Sequence, residues 1–430
     1  MTSRSPDPVS YESAVFQAGL HSAKPPFSFH PSDWESQAKD TLSANSWGYI
    51  HGNAGSGSTY RKNLAAFDRW SIVPRRLRAS RKDEQGNEAF SDTRTTILGD
   101  QILPFPLAIA PIGVQKIFNP LGEVAAARAA ASLGVPYTLS TASSTSIEDV
   151  AKAMDDAAGD GPPPTRWFQL YWPERKNDDI TVSLLSRAKK AGYSALFVTL
   201  DTYVLGWRPA DMNHGYNPFI HPDRIGVEIG LTDPVFQRRF KEEHGYEIEE
   251  AGRHESELTG HNLGDVAGEW TKIVFPGHSH AWEDVASLKE HWDGPIVLKG
   301  IQTVEDARKA VEVGVQGIVV SNHGGRQQDG GVSSLGMLPR IVEAVGDKIE
   351  VFFDSGVRSG ADIMKAYALG AKCVFVGRPY AYGLAIGGEE GVKHVLRSMC
   401  GDLLLNMHLA GLRGLDEVTK DILVKEDELF

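Results

Sequence analysis

The chain has 430 residues, with 44 Lys or Arg against 56 Asp or Glu, and a net charge of -12 at pH 7. This acidic balance argues against nucleic acid or an anionic membrane surface as the main partner. The two cysteines, Cys373 and Cys400, exclude a disulfide framework and a cysteine zinc site. No apolar segment reaches membrane-spanning length and residues 1–13 lack the apolar core of a signal peptide, so we expect a cytoplasmic protein.

Residues 1–95 have helical and irregular patterns, and their glycine-rich residues 52–57 lack the Lys of a phosphate-binding loop, which indicates only a flexible turn. Eight short apolar runs with the composition of buried strands follow. They are residues 107–110, 137–139, 167–170, 196–200, 296–298, 317–320, 351–353 and 373–376.

Helix signals fill most intervals between these runs. A Ser or Thr three residues before an Asp marks three helix starts, and glycines mark several helix ends; they are Ser146, Thr303, Ser359, Gly134, Gly192, Gly314 and Gly370. Alternating strands and helices predict an α/β fold with a parallel sheet, and eight such units predict a closed (β/α)₈ TIM barrel over residues 96–430. We expect residues 1–430 to form a single domain, with 1–95 as an N-terminal helical segment.

The interval between the fourth and fifth predicted strands is much longer than the others and contains eight of the fourteen histidines. A loop of this length within a compact domain is usually functional or disordered. After strand four of a barrel it would lie over the catalytic face. We therefore predict that residues 209–293 form a lid-like insertion; a surface excursion without a catalytic role is the alternative.

Residues 321–327, with the sequence SNHGGRQ, follow the sixth predicted strand directly. A proton acceptor, His323, and a fixed cation, Arg326, therefore lie just past the carboxyl end of a strand. The two glycines between them allow the backbone to turn sharply and to approach a ligand closely. This arrangement suits an anionic substrate that must lose a proton.

Polar residues also gather at the carboxyl ends of the other strands, where barrel enzymes carry their chemistry. They are Ser140, Gln169, Tyr171, Thr199, Asp201, Lys299, Ser321, Asp354 and Arg378. The seventh and eighth strands run into turns that contain glycine and arginine, residues 354–360 and 377–379. Backbone amides at a helix start bind phosphate well, so we predict a phosphate group at these two turns.

With these motifs the chain resembles the FMN-dependent α-hydroxy acid oxidase and dehydrogenase family over residues 40–430. The resemblance is carried by residues 168–171, 201–202, Arg208, 299–300, 321–327, 354–358 and 377–378. It implies FMN at the barrel mouth, a small 2-hydroxy acid and O₂ as substrates, and a homo-oligomer, either a tetramer or an octamer. No metal ion is expected.

The resemblance also implies a role for each site residue. The flavin ring would contact Pro111, Ile112, Gly113, Ser140, Gln169, Thr199 and Ser321. The ribityl phosphate would contact Asp354, Ser355, Gly356, Val357, Arg358, Gly377 and Arg378. Lys299 would stabilise the negative charge of reduced flavin. For the substrate, His323 would be the general base and Asp201 would orient it, Arg326 and Arg208 would bind the carboxylate, and Tyr171 and Tyr49 would donate hydrogen bonds.

The insertion and residues 377–385 most resemble the lactate-monooxygenase branch of this family, which implies conversion of L-lactate and O₂ to acetate, CO₂ and water. Release of the 2-keto acid with hydrogen peroxide is the alternative. A larger substrate is also open, because Ala142 stands where many relatives carry a bulky aromatic residue. Two other classes compete. One is a non-redox barrel that binds a phosphorylated ligand and uses His323 for acid/base work, with Lys299 as a possible nucleophile. The other is a metal-binding module on the histidine-rich insertion, notably residues 278–280.

Overall fold

The computed structural model describes residues 8–220, 223–248 and 262–430. Eight parallel strands form a closed barrel, in which the first strand pairs with the last. They are β1 (Leu107–Ile109), β2 (Tyr137–Ser140), β3 (Arg166–Tyr171), β4 (Ala195–Thr199), β5 (Ile296–Ile301), β6 (Gly317–Val320), β7 (Glu350–Phe353) and β8 (Val374–Val376). All eight predicted strands are present, and the (β/α)₈ fold is confirmed.

One barrel helix follows each barrel strand, and after β4 this helix comes behind a long insertion. These helices are Gly122–Leu133, Ile147–Ala158, Asp178–Lys190, Val285–His291, Val304–Glu312, Ser334–Val345, Gly360–Ala368 and Arg378–Leu409. Ser146, Thr303 and Ser359 each accept a hydrogen bond from the amide three residues later, as their helix-start patterns predict. Short 3₁₀ helices lie at Phe67–Arg69, Gln115–Ile117, Arg175–Asn177, Trp282–Asp284, His323–Gly325, Leu415–Glu417, Lys420–Ile422 and Glu426–Glu428.

Apolar side chains fill the barrel interior. Trp167, Phe197, Phe352 and Phe375 belong to this interior cluster and lie in ring contact with one another. A hairpin of two strands, Thr95–Ile97 and Gln101–Leu103, adds Ile97 and Leu103 to the cluster at the amino end of the barrel. The barrel interior is therefore filled by side chains, and the carboxyl ends of the strands are the place where a barrel of this kind binds its ligand.

The N-terminal segment is helical, as predicted, with helices Pro8–Leu20, Pro31–Thr41, Ala44–His51 and Ser58–Ala65. It also contains short strands that the sequence pattern does not predict: Trp70–Ile72, which pairs with Leu423–Lys425, and Arg81–Lys82, which pairs with Glu88–Ala89. The turn between its last two helices lies against the loop after β6, because the Ala54 amide donates to the Gly325 carbonyl at 2.9 Å.

A long insertion follows β4, as predicted. Its helices are Pro209–Asn213, Glu228–Leu231, Pro234–His244 and Asn262–Val274. Asp233 anchors it, because this buried carboxylate accepts hydrogen bonds from Ser183 at 2.7 Å and Arg187 at 3.2 Å on a barrel helix. The insertion ends before the barrel helix Val285–His291, so the predicted range 209–293 includes one helix of the barrel. Residues 221–222 and 249–261 of that range lie outside the described residues.

Candidate active site

A polar layer lies directly above the apolar interior of the barrel. Side chains two positions apart in a strand face the same side of the sheet. Trp167, Phe197, Val297, Val319 and Phe352 face the interior. Two positions further along each strand are Gln169, Thr199, Lys299, Ser321 and Asp354, all of them buried. The alternation that fills the barrel therefore also brings these predicted site residues together at its carboxyl end.

One cavity lies above this layer, with about 920 Å³ of atom-free space that includes open solvent. Its lining includes Tyr49, Pro111, Ile112, Gly113, Tyr171, Arg208, Lys299, His323, Arg326, Asp354, Ser355, Gly356, Val357, Arg358, Gly377 and Arg378. The other predicted site residues lie beneath or behind that lining: Ser140, Gln169, Thr199, Asp201 and Ser321. The structure thus gathers the predicted cofactor and substrate residues around a single cavity.

His323 and Asp201 form a partly buried hydrogen-bonded pair, with 2.9 Å between Nδ1 and Oδ1. Burial lowers the pKa of His323, although Asp201 acts in the opposite direction. Burial alone would raise the pKa of Asp201, but His323, Lys299 and the hydrogen bond from Thr202 lower it to about 2. The carboxylate is therefore ionised and fixes a neutral imidazole with its proton on Nδ1, which leaves Nε2 as a proton acceptor.

The backbone around His323 is strained. His323, Gly324 and Gly325 have φ values of 58°, 65° and 74°, in the left-handed region that favours glycine. A Cβ at Gly325 would lie 2.7 Å from the Tyr60 nitrogen. A histidine held in this region costs on the order of 1 kcal/mol, which the surrounding contacts must offset. The two glycines of the motif are thus required by the path of the chain.

Two guanidinium groups flank the ring of Tyr49, with their carbons 5.9 Å (Arg208) and 4.9 Å (Arg326) from its centre. Arg326 donates to the carbonyl oxygens of Tyr49 and, at 3.0 Å, Gly52. Burial and the neighbouring Arg208 lower the pKa of Arg326 to about 9, so it remains a cation at pH 7. Paired cations on one wall of a cavity can bind a carboxylate.

Gln327 joins the loop after β6 to the segment after β4. Its amide nitrogen donates to the carbonyl oxygens of Asp201 at 2.9 Å and Val204 at 2.8 Å. Its oxygen accepts from the Gly206 amide at 3.2 Å and from Arg208 at 2.7 Å. This residue is in the predicted motif, but the sequence pattern assigns it no role, because its partners are more than a hundred residues away. It fixes the positions of Asp201 and Arg208 relative to His323.

The inner end of the site suits the flavin that the resemblance implies. Gln169 accepts a hydrogen bond from Ser140 at 2.9 Å, while its amide nitrogen is buried without a partner among the described residues. Such an orphaned donor costs about 1–3 kcal/mol, and an acceptor atom of a flavin ring would satisfy it.

Lys299 supplies a fixed cation next to this layer. Its Nζ lies 3.0 Å from the Ser321 hydroxyl and 3.2 Å from Asp354. Burial would lower the pKa of Lys299, but the carboxylates of Asp354 and Asp201 raise it. A buried cation of this kind suits a ring that gains negative charge on reduction.

The predicted phosphate end differs from the expectation in one respect. The amides of Gly360 and Ala361, at the start of their helix, donate to Asp402 at 2.7 and 3.2 Å. The Ser359 amide donates to Asp362 at 3.1 Å. Two carboxylates, one from the distant C-terminal helix, therefore already satisfy the helix-start amides that the sequence suggests for phosphate.

Arg378 lines the cavity and also binds backbone carbonyl groups. Its guanidinium donates to the carbonyl oxygens of Ile50, Gly52 and Gly324, each at 3.0 Å. These bonds connect the N-terminal segment, the loop after β6 and the start of the last helix. Arg358, which makes no such set of bonds, is the side-chain cation better suited to a phosphate.

Two aromatic residues of the insertion complete the cavity wall. The Phe275 ring lies 5.0 Å from that of Tyr171 and 5.4 Å from that of Phe219. Leu205 and Ala142 line the same region. No sequence motif marks the two phenylalanines, since only the folded path of the insertion brings them to the barrel mouth.

His280, one of the predicted metal-binding residues 278–280, contacts a tryptophan ring and a backbone carbonyl group. The His280 ring stacks on Trp172 with 3.8 Å between centres, and its Nε2 lies 2.9 Å from the Pro173 carbonyl oxygen. The metal-binding alternative therefore gains no support at His280. Among the described residues, no helix is long and apolar enough to cross a membrane.

Residues 38–425 match the model of the FMN-dependent dehydrogenase family, and the chain belongs to this family, with FMN as its cofactor. It is 53% identical to an FMN-dependent alpha-hydroxy acid dehydrogenase of Schizosaccharomyces pombe, over 98% of this chain and 97% of the relative. It is 38% identical to an L-lactate oxidase of Lysinibacillus sphaericus, over 94% of this chain and 95% of the relative. A crystal structure of mandelate oxidase aligns with a TM-score of 0.74 at 34% identity, covering 93% of this chain and 99% of that one.

Proposed function

We propose that this chain oxidises a small L-2-hydroxy acid, first of all L-lactate, with His323 as the base that takes the hydroxyl proton. The observation that carries the proposal is the His323–Asp201 hydrogen bond, with His323 lining the same cavity as Arg208 and Arg326. Oxidation of a 2-hydroxy carboxylate requires a base for the hydroxyl proton and cations that bind the carboxylate.

The substrate carboxylate binds to Arg208 and Arg326 beside the ring of Tyr49. Tyr171 lies at the same cavity, and burial raises its pKa, so that its hydroxyl keeps its proton and can donate a hydrogen bond to the substrate. Two cations and a neutral donor fix the α-carbon relative to His323. Such fixed positioning supplies a large part of the rate in reactions of this kind.

His323 accepts the hydroxyl proton at Nε2 and becomes an imidazolium. Asp201 stabilises that charge through the hydrogen bond at Nδ1, and its low pKa keeps it ionised throughout. FMN held at this site would supply the two-electron oxidation that converts the 2-hydroxy acid, after its hydroxyl proton has passed to His323, into the 2-keto acid. Lys299 provides positive charge near the inner end of the site, and Arg358 and the backbone of residues 354–358 and 377–378 are the proposed phosphate ligands.

We further propose that the insertion retains pyruvate, so that L-lactate and O₂ yield acetate, CO₂ and water. Phe219, Phe275 and Leu205 support retention, because they line the cavity from the segment after β4, and an insertion that closes over a bound product slows its release. The similarity to an L-lactate oxidase supports the alternative, release of pyruvate with hydrogen peroxide.

Two measurements test these proposals. Anaerobic mixing of the FMN-loaded protein with L-lactate should bleach the flavin absorbance, and D-lactate should leave it unchanged; no bleaching by any L-2-hydroxy acid would refute the function. In air, acetate formed in equal amount to lactate consumed supports retention of pyruvate. One equivalent of hydrogen peroxide with no acetate would establish the oxidase reaction instead.

A further inference from the structure

We propose that Phe219 and Phe275 of the insertion set the length of the substrate side chain and restrict the enzyme to short aliphatic 2-hydroxy acids. This inference rests on the proposed function, because it assumes a 2-hydroxy acid in the cavity. The arginines and His323 occupy the part of the site that binds the carboxylate and hydroxyl groups. The third substituent of the α-carbon must then face the apolar part of the lining.

That apolar part is a continuous aromatic wall. Phe275 lies between Tyr171 and Phe219, with ring centres at 5.0 and 5.4 Å. Phe219 is only 2% exposed. Phe275 follows the helix Asn262–Val274, and its amide donates to the Thr271 carbonyl at 2.9 Å. The three rings therefore present one apolar surface to the cavity, and we expect the third substituent of the α-carbon to lie against it.

Gly226 holds this wall against the barrel. Its φ is 89°, and a Cβ there would lie 2.4 Å from Val114 Cγ1 and 2.8 Å from both the Ala142 carbonyl oxygen and Phe219 Cε1. The missing side chain therefore allows the insertion to pack directly on the loops after β1 and β2. The Phe219 amide also donates to the Asn217 side chain at 3.1 Å, which fixes the start of this turn.

The same contacts change the interpretation of Ala142. From the sequence, the small side chain of Ala142 predicts room for a larger substrate. In the structure, a Cβ at Gly113 would lie 2.7 Å from the Ala142 Cβ, and Phe219 and Ala142 both adjoin Gly226. The space beside Ala142 is thus limited by neighbours on both sides. Removing a ring from the insertion, rather than changing Ala142, should open the site.

The test measures kcat/KM of FMN-loaded protein for L-lactate, L-2-hydroxybutanoate, L-2-hydroxyhexanoate and L-mandelate. We expect the wild type to lose activity as the side chain lengthens. Phe219→Ala and Phe275→Ala should each raise the ratio of kcat/KM for L-2-hydroxyhexanoate over L-lactate by about tenfold or more, since each methylene in a hydrophobic pocket changes this ratio by 10- to 200-fold. Ile220→Ala is the matched control, because Ile220 is exposed and is not in the cavity lining.

Flavin content and the melting temperature show whether each variant is folded. Phe219→Leu and Phe275→Leu keep an apolar side chain of intermediate size, and they should shift the ratio in the same direction by a smaller factor. Unchanged ratios in alanine or leucine variants that retain FMN would overturn the inference while the enzyme still oxidises L-lactate. Failure of the wild type to reduce its flavin with any of these acids would instead overturn the proposed function.

Discussion

The loop after β6 and the insertion after β4 contribute to the same cavity by different kinds of contact. The loop is held by hydrogen bonds of polar and charged side chains, namely those of Gln327, Arg326 and the His323–Asp201 pair. The insertion reaches the cavity with apolar rings, those of Phe219 and Phe275. Hydrogen bonds fix direction and lose their value after small shifts, whereas apolar contacts tolerate gradual change. We infer that the loop determines the reaction and the insertion selects the acid.

The N-terminal segment is hydrogen-bonded to the loop after β6 and the residues that follow it. Asp329 accepts hydrogen bonds from the amides of Ser56 at 2.7 Å and Thr59 at 3.0 Å. Asn63 and Asn322 exchange two amide hydrogen bonds, at 2.8 and 2.7 Å. The glycine-rich turn at residues 52–57, which the sequence alone indicates as a flexible turn, is thus an anchor for the loop that carries His323.

Asp201→Asn should have the largest effect among these predictions. Without the carboxylate, the imidazolium of His323 loses its stabilising charge, and anaerobic flavin reduction by L-lactate should slow by about 10²- to 10⁴-fold. The wild type should lose activity as the pH falls through the His323 pKa, which burial places below its usual value. Asp201 raises that pKa, so in Asp201→Asn the loss of activity on the acidic side of the pH–rate profile should move to lower pH. Asp160→Asn, on the exposed surface, is the control; an unchanged rate and limb in Asp201→Asn would contradict the orienting role.

Arg208→Lys should weaken substrate binding. A lysine cannot form the paired hydrogen bonds of a guanidinium to a carboxylate, and the contact to Gln327 would also be lost. We expect kcat/KM for L-lactate to fall about 10- to 100-fold, mainly through KM, as for the loss of one charged hydrogen bond. Steady-state kinetics provide the check, with Arg308→Lys on an exposed helix face as control. A fall in kcat at constant KM would show that Arg208 acts on the chemical step and not on substrate binding.

Gln327→Leu should disturb the positions of both Asp201 and Arg208. The substitution removes four hydrogen bonds between the loop after β6 and the segment after β4. We expect kcat to fall and KM to rise together, by about tenfold in kcat/KM. Gln327→Glu keeps the acceptor for Arg208 and should recover part of the loss. Gln328→Leu, an exposed neighbour, should behave as the wild type. If Gln327→Leu changes the melting temperature alone, the residue is structural and does not position the site.

Gly226→Ala should have the smallest effect on the reaction and act mainly on stability. The positive φ and the close atoms of Val114 and Phe219 predict a cost of about 1–3 kcal/mol in unfolding free energy. Gly245→Ala is the matched control, since Gly245 also has a positive φ, 81°, but no atom within 4 Å of the added Cβ. A lower melting temperature in Gly226→Ala than in Gly245→Ala isolates the contact with the barrel. Equal values would show that the insertion does not pack there.

The sequence predicts those features that depend on local patterns. Apolar runs of strand length, helix-start pairs such as Ser359 with Asp362, and polar residues at strand ends are enough to indicate the barrel and most of its site. Contacts between distant segments do not leave such a pattern. The carbonyl partners of Arg378, the bonds of Asp402 to Gly360, and the place of Phe275 depend on the fold itself. The homo-oligomer and the cytoplasmic location stay predictions.

The most direct test mixes L-lactate and L-2-hydroxyhexanoate anaerobically with two FMN-loaded variants, His323→Ala and Phe219→Ala, side by side. We expect His323→Ala to keep its flavin oxidised with both acids. Phe219→Ala should reduce its flavin with both, and should favour the longer acid more than the wild type does. Rapid bleaching in His323→Ala would contradict the base role. An unchanged preference in Phe219→Ala would contradict the division of roles between the loop and the insertion.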